Sequence, residues 1–222
     1  TGMRLDKKLY WMWVFQNELA TFVFPDHLRG KEAIDGQFPK GFPDGILVTD
    51  RHSSYFGMTA GGHQICLAHL LRKLIYLTEL DQGQDWSTRM LSLLRESIHL
   101  WKTRDVTKSD MGNIKKHYKA LMEEDISRLR HEFREFRNGL SSHSDHLFLF
   151  LENPNVPPDN NASERAIRPL KVKQKVSGQF KSDEGASAFC VIHSIVHTAK
   201  KKDQDPFLAL REIAENVINH QT

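Results

Sequence analysis

The 222-residue chain predicts an α/β fold, a mixed sheet with flanking helices interrupted by an all-helical stretch. Three observations predict it. Two aromatic and β-branched runs flank a short polar turn near the N-terminus, an apolar run ends in an acid at Asp50, and from about Asp85 apolar residues recur at helical spacing.

Leu9 to Phe15 and Leu19 to Phe24 carry the residue types that favour strands, and Gln16-Asn17-Glu18 between them reads as the turn of an antiparallel hairpin. Arg29 to Phe38 predicts a short helix, closed by the loop Pro39 to Gly45. Ile46 to Thr49 is a continuous run that suits a strand buried on both faces. Gly61-Gly62 reads as a turn and Gln64 to Leu67 as a further strand, leading into a helix through Leu70, Leu71, Leu74 and Leu77. From about Asp85 to Leu151 the pattern is helical: Met90, Leu94, Ile98 and Trp101 form one stripe, and Ile114, Tyr118, Leu121, Leu129, Phe133 and Phe136 another. Such stripes are packing faces and carry no chemistry. After the proline-marked break Asn153 to Pro158, three helices are predicted, over Asn161 to Leu170, Asp183 to Lys202 and Pro206 to about Asn219. Asp205 is a good N-cap for the last, and Pro206 suits its first position.

A hairpin, a strand ending in an acid and then helices matches the ribonuclease H-like α/β architecture. Residues 1–80 are expected to form the first part of that core, 81–152 an all-helical insertion, and 153–222 the second part with C-terminal helices.

Hydrophobic residues make up 39% and charged residues 27%, ordinary for a soluble globular protein. No run approaches the ~18 apolar residues of a membrane helix, and the start does not read as a signal peptide. Two cysteines, Cys66 and Cys190, are too few for a disulfide scaffold and suit a reducing cytoplasm. The net charge of +3 says little about nucleic acid, but from Asn153 to Lys202 nine Lys/Arg face four Asp/Glu. A basic concentration of this kind fits a polyphosphate partner, since each neutralised phosphate releases condensed counterions. A solvated lysine-rich face is the bland alternative.

Two acids are candidates for chemistry. Asp50 stands where a strand ends, which aims a carboxylate off a fixed backbone, although Asp-Arg-His-Ser-Ser also reads as a turn or helix cap. Glu164 lies 114 positions later, and with Asn161 as N-cap it completes an Asn-x-x-Glu capping box. The capping box leaves Arg165, Arg168, Lys171, Lys173 and Lys175 unexplained. A carboxylate among cations at a helix start suits a place where metal and phosphate meet.

The run Asn160-Asn161-x-x-Glu164-Arg165-x-x-Arg168-Pro169-Leu170 resembles the block carrying the third acid in transposases of the insertion-sequence 66 family. Asp50 through Tyr55 and Cys66-x-Ala68-His69-x-x-Arg72-Lys73 match the family's earlier blocks. Downstream, Lys171 to Phe180 stands where family members have a basic strand, an aromatic and a Gly/Ser turn, followed here by Thr198-Ala199-Lys200 and Asp205-Pro206. Lys173-Gln174-Lys175 departs from the Arg-Lys-Asn of many members.

The resemblance implies a DNA transposase catalytic domain that cleaves and transfers DNA strands by two-metal phosphoryl transfer. Two Mg²⁺ (or Mn²⁺) ions ~4 Å apart serve the attacking and leaving oxygens, and hard carboxylate oxygens suit them. Asp50 and Glu164 would be catalytic metal ligands, and His69, Arg72, Lys73, Arg165, Arg168, Lys171, Lys173 and Lys175 would contact DNA. Double-stranded DNA (element ends and target), other copies of the chain on that DNA and accessory transposition proteins are the implied partners; no membrane is. The family's first acid is expected in a strand just before a Thr-Gly pair, and this chain begins at Thr1-Gly2. Truncation of that acid, with impaired metal binding and turnover, is therefore expected. A non-catalytic DNA-binding remnant and a structure-specific nuclease of the same fold are the rival readings. Cys66-x-x-His69, with Cys190, His193 and His197 on one helical face, invites a zinc reading, but the spacing fits no finger pattern.

Overall fold

A computed structural model describes residues 1–219, so the expected third segment, 153–222, ends on residues outside those described. The chain is a mixed α/β protein of two compact units, one formed by residues 1–39 with 161 onward and the other by Lys40–Asn160. Among the described residues no helix is long and apolar enough to cross a membrane.

In the first unit β1 (Gly2–Leu5), β2 (Lys8–Gln16) and β3 (Thr21–Asp26) form an antiparallel sheet in that order. The expected hairpin is β2 and β3, with Trp13 opposite Phe24 and Val14 opposite Val23. The Asn17 carboxamide oxygen closes its turn by accepting the N–H groups of Leu19 and Ala20. Strand β1 is an addition. It reaches β2 through Asp6 and Lys7, both left-handed at φ 42° and 64°, the sense of twist that tight hairpins need. Helix α1 (Lys31–Gln37) buries Ala33 and Ile34.

The rest of this unit is helical: α8 (Asn161–Ser177), α9 (Asp183–Lys201) and α10 (Pro206–Asn219). Met3, Leu5, Met12, Val23, Leu170, Phe180, Ala186 and Cys190 make its core. Helix α9 begins on the Ser182 hydroxyl, which accepts the Gly185 N–H, and has acids in its first turn and lysines in its last, as the helix dipole favours. The expected cap of α10 is present: Asp205 Oδ1 accepts the N–H groups of Phe207 and Leu208.

Helix α8 corrects the expected break at Leu170. Pro169 sits within it, and residues 171–177 continue the helix where a basic strand was expected. As a strand this segment would have no apolar face to bury, since Val172 and Val176 are 57% and 80% exposed. The helix stops at Gly178, whose left-handed φ of 71° lets its N–H reach back to Gln174 O.

In the second unit β4 (Phe42–Thr49) and β5 (Ala60–Ile65) pair in parallel, with Thr49 opposite Ile65. The five strands thus make a three-stranded and a two-stranded sheet. Strand β4 starts four residues before the expected Ile46, and Ile46 to Thr49 are half-buried where burial on both faces was expected. Gly61-Gly62 lie inside β5, not in a turn. A Cβ on Gly61 would stand 2.7 Å from Pro43 O, and one on Gly62 2.8 Å from a Leu149 methyl, so glycine serves close approach here.

Short α2 (Ser53–Phe56) follows β4, and α3 (Leu67–Leu80) follows β5. Every described element from Trp86 to Glu152 is helical: α4 (Trp86–Thr103), α5 (Lys108–Glu123), α6 (His131–Ser141), a 3₁₀ turn (Ser144–His146) and α7 (Leu149–Glu152). The predicted stripes form their core with Leu67, Leu70, Leu74 and Leu77 of α3. Trp86 satisfies its indole N–H on Leu121 O at 2.9 Å. Thr107 and Asp110 form a reciprocal capping box at the start of α5. The buried Gln64 joins strand to helices by donating to Leu147 O and accepting from Phe150 N–H.

Candidate active site

Asp50 follows the last residue of β4. One carboxylate oxygen, Oδ1, accepts the His52 N–H at 2.9 Å, so part of the turn reading holds. The other makes no hydrogen bond among the described residues and is open to a ligand. The neighbouring Arg51 guanidinium lies over the Phe136 ring, 5.6 Å from its centroid. Burial there pulls its pKa below the usual arginine value, while Glu135 opposes the shift.

Strand β4 is held at this end by the loop after β5. Cys66 donates its N–H to Thr49 O at 2.7 Å, and its neighbour Leu67 donates to Pro158 O at 2.8 Å. Cys66 is fully buried, with its Sγ 3.3 Å from the Asn160 N–H. Burial is the largest influence on the thiol and pushes its pKa up, while the backbone N–H groups of Asn160, His69 and Ala68 oppose the shift.

Helix α3 then turns His69, Arg72, Lys73 and Tyr76 to one side, at i, i+3, i+4 and i+7, with the leucine stripe on the other. Arg72 Nε donates to Ala68 O, and the Lys73 ammonium lies 4.6 Å from the Tyr76 ring centroid.

Glu164 belongs to the first unit, in the first turn of α8, and is half-buried. The helix starts at Asn161, so Glu164 is its fourth residue. Because residues 171–177 are helical, Glu164, Arg168, Lys171 and Lys175 recur at i, i+4, i+7 and i+11 along one face of α8. Sequence reasoning missed this alignment, since a strand would have separated the lysines from the acid. Arg165 is exposed beside the line. Lys173 lies off it, with its ammonium 5.2 Å from the Phe180 ring centroid.

Two of the other zinc candidates, Cys190 and His193, have polar partners. Cys190 Sγ donates to Met12 Sδ at 3.3 Å, and burial pushes its pKa up to about 12. His193 Nε2 lies 3.1 Å from Ala166 O, with its ring 4.1 Å from that of His197. Among the described residues no group of three or more metal-binding side chains is arranged to hold an ion.

Comparison with known proteins yields a match of residues 1–188 to the family described as "Transposase IS66 family". The chain is also similar to "Uncharacterized protein y4jD" of Sinorhizobium fredii (strain NBRC 101917 / NGR234), at 22% identity over 204 residues, covering 81% of this chain and 39% of that protein. The chain thus spans about two fifths of the length of that relative. No solved structure matches it significantly.

Proposed function

Because the chain belongs to the transposase IS66 family, we propose that it is the catalytic part of an insertion-sequence transposase, cleaving and joining DNA strands on a ribonuclease H-like core. The observation that carries this is the line on α8, where Glu164 is followed on the same face by Arg168, Lys171 and Lys175. A carboxylate at the head of a row of cations offers adjoining places for a divalent metal and for successive backbone phosphates.

The residues fit Mg²⁺ or Mn²⁺. Asp50 presents an unengaged hard oxygen at a strand end fixed by Cys66 N–H, and a Mg²⁺ ion that keeps several waters needs few carboxylates. Bound there, the metal would polarise the scissile phosphate and favour ionisation of the attacking hydroxyl. Asp50 and Glu164 are the carboxylates that would hold it. Arg168, Lys171 and Lys175 neutralise the DNA backbone and set its register on the protein, and His69, Arg72 and Lys73 offer a second set of donors. Arg165 and Lys173 flank the first set. Duplex DNA is the partner, with further copies of the chain assembled on it.

Mn²⁺ titration followed by electron paramagnetic resonance, with duplex DNA present, tests the reading. Asp50→Asn and Glu164→Gln should each weaken Mn²⁺ binding by about tenfold or more, the range seen when a metal site loses a supporting group. Parent-like affinity in both variants would overturn the catalytic reading and leave a DNA-binding remnant.

A further inference from the structure

We propose that the groove between α8 and α9 is an interface between copies of this chain, and that its occupant is the start of α10 from a second copy. The inference deepens the assembly part of the proposed function, since it names the surface by which copies meet. It uses none of the metal chemistry.

Helix α8 carries two stripes side by side. Glu164, Arg168, Lys171 and Lys175 form the first. One position on, Arg165, Pro169, Val172 and Val176 repeat the same i, i+4, i+7 and i+11 spacing. The second stripe is apolar after its first residue. With Phe189, Ile192 and Val196 of α9 it walls a groove of about 470 Å³. Val172, Val176 and Ile192 are each at least half exposed. β-Branched residues are indifferent helix formers, so their exposure on two adjoining helices gains nothing for the isolated unit. Contiguous apolar surface of this kind marks a docking place.

A small ligand suits the volume but not the chemistry. Such pockets orient a ligand with convergent polar groups. Here His193 already has its Nε2 on Ala166 O, and Lys173 holds its ammonium over the Phe180 ring.

The same unit carries the matching part. Helix α10 lies against α9 with Ala209 and Leu210 half-buried, yet Phe207 and Leu208 in its first turn are 70% and 51% exposed. Charge agrees with shape. Arg165 heads the α8 wall, Lys173 lines the groove, and Lys200 stands one turn beyond Val196 on α9; none of the three forms an ion pair among the described residues. Glu212, one turn after Leu208, is likewise unpaired among them, while Glu215 bonds Arg211. A knob and a groove on one unit allow a two-fold dimer in which each copy fills the other's groove. That reciprocity doubles the buried area toward the ~800 Å² per partner of a stable interface.

The test is sedimentation velocity of the full chain after nuclease treatment, so that DNA cannot bridge copies. The parent should form dimers that dissociate on dilution. Val176→Glu places an acid in the groove and Phe207→Glu one on the knob, both at exposed positions where the fold should survive. Each should raise the dimer dissociation constant about tenfold or more, as for an interface anchor, and Glu212→Lys should raise it severalfold. Mixed one to one at about 0.5 mM, a concentration that reveals even weak pairs, the two glutamate variants should show a higher average mass than either alone. One intact knob then meets one intact groove. A parent that stays monomeric at that concentration, dimers untouched by both substitutions, or a mixture no heavier than its components overturns the inference. Dimers lost in Val176→Glu but kept in Phe207→Glu would seat another surface in the groove and overturn it too. Should either glutamate variant melt below the parent, Val176→Ser and Phe207→Ser replace them. Both positions lie off the Glu164 face, so Mn²⁺ affinity should stay at the parent level. If dimerisation fails while Asp50→Asn and Glu164→Gln still weaken Mn²⁺ binding, only this inference falls. Parent-like Mn²⁺ binding in those two variants removes the catalytic reading and leaves the interface standing.

Discussion

The Ser194 hydroxyl on α9 accepts the Val23 N–H of edge strand β3 at 2.9 Å and donates to Cys190 O at 2.8 Å. One turn on, Thr198 Oγ1 accepts the Thr21 N–H at 3.1 Å. The open edge of the three-stranded sheet is thus closed by two hydroxyls at i and i+4, a device that also hides it from other chains. Ser194→Ala should leave the Val23 N–H without its partner and lower stability by about 1–2 kcal/mol. Urea denaturation of Ser194→Ala, Thr198→Val and the double variant measures this. Stability equal to the parent in the double variant would show that the hydroxyls do not hold the edge.

Gly61 and Gly62 should differ in their tolerance of alanine. A Cβ at 61 meets the rigid backbone oxygen of Pro43, whereas at 62 it meets the end of the Leu149 side chain, which can rotate away. Gly61→Ala should cost roughly 1–3 kcal/mol, the range for overpacking, and Gly62→Ala clearly less. Thermal melts of the two variants side by side decide the point. The reverse ranking would place the rigid contact at 62.

Stability should fall as pH drops below about 6.5. Burial is the largest influence on His193 and His197 and lowers both pKa values from 6.5; Lys200 lowers both further, and His193 and Lys201 add to the effect on His197. With the folded-state pKa below the unfolded value, the unfolded chain takes up protons first on acidification. The histidines' contribution is therefore complete above about 6.5 and is lost as pH falls from there toward the folded pKa. His63 in the second unit, lowered chiefly by burial, acts with the same sign. The melting temperature should drop between about pH 7.5 and about pH 5.5, and His197→Asn should make that drop smaller. An identical drop in the variant would assign the effect to other groups.

What the sequence revealed followed from how much local chemistry each element carries. The β2–β3 hairpin is written in aromatic and β-branched runs, and the helices from Trp86 onward in apolar stripes that no strand would need. Strand β1 is hidden because four residues show little alternation and its turn, Asp6-Lys7, lacks the glycine or asparagine that left-handed φ usually requires. The latter half of α8 is hidden for a different reason. Lys171-Val172-Lys173-Gln174-Lys175-Val176 alternates with a period of two and imitates a strand, yet Lys and Gln are good helix formers and neither valine finds a core. At the candidate site, Asp50 was legible as an acid closing a strand. Its tie to the Asn160 segment through Cys66 was not, because hydrogen bonds across 94 positions leave no local pattern.

The helical continuation of α8 separates its lysines into two sets, and DNA binding should do so as well. Lys171 and Lys175 share a face with Glu164 and Arg168, while Lys173 lies off that face beside Phe180. Each phosphate contact contributes about 0.9 to the slope of log affinity against log salt on duplex DNA. Lys171→Ala and Lys175→Ala should therefore each reduce the slope by about that amount, weakening binding to all sequences alike, because backbone contacts carry no sequence information. Lys173→Ala should leave the slope near the parent value. Its ammonium, held against an aromatic ring, contributes to packing worth about 0.5–1 kcal/mol, so its loss should appear in the melting temperature instead. Fluorescence anisotropy with labelled duplexes at several salt concentrations supplies the slopes. A slope that falls equally for all three lysines would mean that DNA meets the basic segment without regard to helical face, and a slope unchanged in all three would move the DNA contact away from α8.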